Sequence, residues 1–130
     1  MIRRAIPALL LLATLASPAP AQFASVCPGV ARALTPYAHE TLTVSNSAVT
    51  LTSATYGASG QTPVLAELRV DAGMGLFRYW TDGTTPTASV GSEGSAPGLN
   101  VCGPAIKTIK LIRESTDVTI YVTYYKLVGQ

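Results

Sequence analysis

The residues of this chain with the means to do chemistry are a histidine beside a carboxylate, seven scattered acids, two cysteines and a row of tyrosines and threonines. His39 is the only histidine, and Glu40 follows it. Nucleophilic catalysis needs a nucleophile, a base and an orienting group within hydrogen-bond reach. No serine stands in a nucleophile-elbow setting, so His39 reads as a strand-opening residue. Paired carboxylates would serve glycoside hydrolysis. The acids are Glu40, Glu67, Asp71, Asp82, Glu93, Glu114 and Asp117. Most lie beside turns or on alternating polar faces, which reads as solvated surface. One histidine and two distant cysteines do not make a metal-ligand set. "DAGMG" and "SEGSAPG" lack the strand-to-helix setting of a phosphate loop, and "DAGMG" and "TDG" lack the acidic spacing of a calcium loop. The chain is therefore read as a non-enzyme, with no catalytic residue, metal or cofactor assigned. Asn46 and Asn100 are followed by Ser-Ala and Val-Cys, so neither opens a glycosylation sequon.

Binding chemistry is better represented. "FRYWTDGTTPTASVG", Phe77 to Gly91, holds three aromatics and an Asp-Gly turn pair. In a strand over 76–81, side chains alternate, so Phe77 and Tyr79 face the core while Arg78 and Trp80 point outward. Asp82-Gly83 tolerates positive φ and marks the turn. Arg and Trp are typical hot-spot residues where a partner docks. The second group lies in "DVTIYVTYY", Asp117 to Tyr125. Val118, Ile120, Val122 and Tyr124 share one face; Thr119, Tyr121, Thr123 and Tyr125 share the other. Tyrosines among hydroxyls suit sugar stacking or subunit packing. The other reading of that row is a second buried face, covered by another subunit or by the leader.

Strands must position these groups, and the rest of the chain supplies them. "HETLTVSNSAVTLTS" alternates through Leu42 and Val44, breaks at Asn46-Ser47 and resumes at Val49 and Leu51. That fits two short strands, or one strand with a bulge or turn. Val64, Ala66, Leu68 and Val70 alternate with Glu67, Arg69 and Asp71. Short strands are also expected at 87–90 and 99–102. "AIKTIKLIRES" reads as a strand with Ile109 and Leu111 inward, or as one opening on a helical turn. Seven or eight short strands without a long helical period predict an all-β fold, a single antiparallel β-sandwich of jelly-roll or immunoglobulin-like topology. A short N-terminal extension, 22–37, with a helix-compatible piece over 30–34, precedes the sandwich domain at 38–130.

The chain opens "MIRRAIPALLLLATLASPAPAQ": two arginines, an apolar run, then Ala19-Pro20-Ala21. This is the pattern of a secretory signal over 1–21, cleaved after Ala21, and it is too short to span a bilayer with ordinary flanks. An uncleaved anchor is the alternative. Removing Arg3 and Arg4 from nine basic residues leaves seven against seven acids, so the mature chain is formally neutral. No basic footprint for nucleic acid remains, and no membrane span is expected after cleavage. Cys27 and Cys102 in an exported chain predict a disulfide. Closing that loop of about 75 residues contributes ~4 kcal/mol in the chain-entropy model. Two separate thiols are the alternative. The expected location is secreted or periplasmic.

The order of three segments, "HETLTVSNSAVTLTSATYG", "AELRVDAGMGLFRYWTDGTTPTASVG" and "IKTIKLIRESTDVTIYVTYYK", resembles a group of small tailed-bacteriophage proteins. The matching residues include Thr43-Val44-Ser45, Leu51-Thr52, Arg78, Asp82-Gly83-Thr84, Pro86-Thr87, Val90-Gly91, Ile112-Arg113, Asp117 and Val122-Thr123-Tyr124-Tyr125, over residues 38 to 126. The resemblance implies a β-sandwich virion accessory protein of decoration, fibre or tail type, so a phage virion is the alternative location. The signal, the two cysteines and the segment "SEGSAPGLNVCGP" depart from that group. The expected function is protein–protein association, with self or with other proteins. The alternative is a secreted or periplasmic module that binds a glycan or other surface ligand.

Overall fold

A computed structural model describes residues 27–30 and 32–130. The expected signal and its cleavage site lie outside them. The described residues hold eight strands: β1 (Leu34–Val44), β2 (Val49–Thr50), β3 (Leu65–Val70), β4 (Phe77–Trp80), β5 (Ser92–Gly94), β6 (Gly98–Cys102), β7 (Lys110–Arg113) and β8 (Val118–Leu127). One-turn helices α1 (Ser53–Tyr56) and α2 (Ala105–Thr108) join strands.

The strands form two four-stranded sheets. Sheet A runs β1-β8-β3-β6 and sheet B runs β2-β7-β4-β5. Every pairing is antiparallel. The partners β1/β8, β2/β7, β3/β6 and β4/β5 are those of one long hairpin with its tip between β4 and β5, rolled into two layers. This is the jelly-roll arrangement, and it excludes the immunoglobulin-like alternative.

Alternation explains the core. On β8, Val118, Ile120, Val122 and Tyr124 are buried, as are Ala66, Leu68 and Val70 on β3. Phe77, Ile109 and Leu111 meet them from the other layer. Each such large side chain contributes about 1.5–3 kcal/mol by leaving water. Gly94 stands opposite Phe77 on β5. A Cβ there would enter the Phe77 ring, so only glycine lets β5 lie across it.

Three local expectations change. First, β1 begins at Leu34, inside the expected extension and its helix-compatible piece. Leu34, Thr35 and Pro36 pair with Leu127, Lys126 and Tyr125, and the register shifts between Pro36 and Ala38. Pro36 disguises this strand in the sequence, yet β1 is an edge strand, where a missing N–H is tolerated. The bulge at Tyr37 turns its ring toward the core, 6.5 Å from that of Tyr124. Second, no strand forms over 87–90. Thr87 and Val90 close a turn on each other, with N–H to carbonyl distances of 3.0 and 3.3 Å. Val90 is 57% exposed, so nothing apolar draws the segment into a sheet. β5 starts after it instead. Third, the helical opening of "AIKTIKLIRES" is the form adopted, with α2 over 105–108 preceding β7.

Candidate functional site

β8 lies inside sheet A, between β1 and β3. Its outward residues are therefore flanked on both sides. Thr119 pairs with Thr43, and Tyr121 with Thr41 and Arg69. Thr123 pairs with His39 and Glu67, and Tyr125 with Pro36 and Leu65. Opposed side chains on one face of antiparallel strands lie within contact range. The outcome is a flat field of hydroxyls with Tyr121 at its middle, 45% exposed.

The lower half of this field is internally bonded. His39 Nδ1 lies 3.1 Å from Thr123 Oγ1. The Tyr125 hydroxyl donates to Glu67 Oε2 at 2.9 Å, and Glu67 also pairs with Arg69. Burial, then the Glu67 carboxylate, raises the Tyr125 hydroxyl above its ordinary pKa, because both disfavour the phenolate. The upper half is open. Tyr121 and Thr119 have no side-chain hydrogen bond among the described residues.

One end of the face is capped. Leu65 is buried, although it shares the outward side of β3 with Glu67 and Arg69. Its register partner is Cys102, which forms the expected disulfide with Cys27. The disulfide thus pins the segment around Cys27 over the end of the outer face and shields Leu65. Two shallow grooves of about 320 and 220 Å³ flank this staple and share Val64, Gly103 and Pro104.

Arg78 and Trp80 stand elsewhere, on the outer side of sheet B, where β4 pairs them with Ile112 and Lys110 of β7. The six candidate contact residues therefore occupy opposite faces of the sandwich. Arg78 is also committed. Its Nε meets Glu114 Oε1, both atoms shut from solvent. Its Nη2 lies 3.3 Å from Glu93 Oε2, and its Nη1 donates to the Gly91 carbonyl at 3.3 Å. The arginine ties β4 to Glu93 of β5, to Gly91 just before it, and to Glu114 just after β7. Trp80 is half-buried beside it.

The expectation that the acids are solvated surface fails at Glu40. It pairs with Val122 on the inward phase of β1. Its Oε1 accepts from the Tyr124 hydroxyl and, at 3.0 Å, from the Thr52 N–H. Tyr37 and Tyr56 adjoin it: the Tyr37 hydroxyl donates to the Tyr56 carbonyl at 2.6 Å, and the Tyr56 and Tyr124 rings lie 5.8 Å apart. The alternation of Leu42 and Val44, continued back two residues, already places Glu40 inward. The cluster of three tyrosines has no such signal, because a bulge and a short helix assemble it. His39 and Glu40 point to opposite faces, so they do not form a base and its orienting acid. Among the described residues no group of three or more His, Cys, Asp or Glu gathers in a way that would hold a metal ion.

Comparison with known protein families, with curated proteins and with solved structures found no match.

Proposed function

We propose that this is a non-enzymatic, exported jelly-roll protein that works by protein–protein association through the outer face of sheet A. The observation that carries the reading is Tyr121, standing open at the centre of a flat, three-stranded field of threonines, with Arg69 beside it. A central aromatic and an arginine ringed by small polar groups is the composition of a docking patch. The two grooves described here lie at the disulfide end, away from Tyr121, so the field around Tyr121 suits a broad partner better than a small ligand. The disulfide accords with an oxidising compartment. The fold hosts both capsid and lectin domains, which by analogy fits a virion-type accessory and a glycan module alike.

Placing a photo-crosslinking amino acid at Tyr121, with a second variant at Trp80 as control, tests the reading in the producing cell. Protein adducts from position 121 that are absent from position 80 support it. Adducts with polysaccharide alone would move the assignment to glycan binding, where the Tyr121 ring stacks on sugar. Equal labelling at both positions would sink the docking face.

A further inference from the structure

Each sheet of an open sandwich ends in strands whose outer backbone groups lack partners, and such edges invite another strand. Three of the four edges here are closed to that use. β2 has two residues and β5 three. β1 is long, but it carries Pro36 without an N–H, the bulge at Tyr37 and the inward carboxylate of Glu40. These are the devices that keep an edge from pairing.

β6 carries none of them within its bounds. It is the far edge of sheet A, five residues long, and its sequence "GLNVC" has no charged side chain. The Val70 N–H donates to the Pro97 carbonyl at 3.0 Å, and the Gly103 N–H donates to the Val64 carbonyl at 2.9 Å. Those bonds fix which groups of β6 face β3. In a trans peptide the N–H and C=O point opposite ways. The N–H and C=O of Gly98 and Asn100 therefore face away from the sheet, and no hydrogen bond takes them among the described residues.

We infer that β6 pairs with β6 of a second copy of this chain, antiparallel about a two-fold axis at Leu99, joining two sheets A into one eight-stranded sheet. The register is self-complementary. Gly98 meets Asn100 of the second copy and Asn100 meets its Gly98, each pair exchanging two N–H···O bonds. The Asn100 side chain lies on the outer face opposite a glycine, where nothing obstructs it. The strand has no charge to repel its own copy, and the mature chain is formally neutral. The inference does not depend on Tyr121.

Sedimentation equilibrium of the oxidised, exported chain, from low micromolar to near-millimolar concentration, is the test. A concentration-dependent dimer is expected. Asn100→Pro removes one outward N–H per copy at an edge position that tolerates proline, and should raise the dimer dissociation constant by at least about tenfold. Tyr121→Ala should leave the dimer intact, which separates this result from the docking proposal. A chain that stays monomeric throughout, or a dimer indifferent to Asn100→Pro, overturns the pairing. Should Asn100→Pro fail to fold, amide exchange in the wild type decides. Gly98 and Asn100 amides that slow as concentration rises support it; amides already protected in the monomer, or fast at every concentration, refute it.

Discussion

The Tyr124 hydroxyl donates to the Glu40 carboxylate across the β1/β8 pairing, 84 residues apart in sequence. Tyr124 is fully buried. The same carboxylate oxygen holds the Thr52 N–H at the start of α1. One acid thereby joins the middle of β1 and of β8 in sheet A to the turn that follows β2 of sheet B.

Removing the acid should cost more than removing the hydroxyl. Glu40→Ala leaves the buried Tyr124 hydroxyl without its acceptor, a loss of about 1–3 kcal/mol, and also releases the exposed Thr52 N–H to water. Tyr124→Phe deletes the donor with little change of shape and should cost ~1–2 kcal/mol. Urea unfolding of both variants checks the order. A Glu40→Ala chain as stable as the wild type would mean water replaces the carboxylate.

Stability should fall in alkali. Burial, reinforced by the Glu40 carboxylate, holds the Tyr124 hydroxyl well above its ordinary value of 10.0. Burial also raises Tyr37, and burial with Glu67 raises Tyr125. The fold prefers the neutral form of each, whereas the unfolded chain ionises near pH 10.0. The stability they contribute is thus fully present below that pH and is lost as pH rises above it. Denaturation midpoints measured on either side of pH 10.0 should drop, and Tyr124→Phe should flatten the slope. An unchanged slope in that variant would place the effect elsewhere.

Opening the disulfide should loosen the end of sheet A. The cross-link spans 75 residues, and the chain-entropy model assigns such a loop about 4 kcal/mol. Cys27→Ser with Cys102→Ser should lower stability by up to that amount and speed amide exchange around Leu65, which loses its cover. Thermal unfolding with and without reductant gives the first number. A loss confined to exchange near Leu65 would show a local clamp instead.

Arg78→Ala should behave as a structural mutation. It leaves the Glu114 carboxylate, largely shielded from solvent, without its cation and frees Glu93. A loss of about 1–3 kcal/mol follows from an unsatisfied charged group. Trp80→Ala should cost less, because that ring is only half-buried at the surface of sheet B. Parallel denaturation curves with equal midpoints for the two variants would contradict this.

Period-two alternation carried much of the fold. It located the inward faces of β3, β4 and β8, and it placed Phe77, Ile109 and Leu111 in the core, because one residue of phase decides which face meets water. It set Tyr121 and Thr119 outward. A signal-like opening and an even cysteine count indicated the bond between Cys27 and Cys102. Alternation says nothing of which strand lies beside which. The rolled order of the sheets, the inner position of β8 that gives Tyr121 neighbours on both sides, and the separation of Arg78 and Trp80 onto the far face all come from long-range pairing. The same holds for the Glu40 clasp, which needs a bulge at Tyr37, a helical turn at Thr52 and a strand 84 residues away to meet at one carboxylate. Strand pairing and packing between distant segments decide such contacts, and no local pattern encodes them.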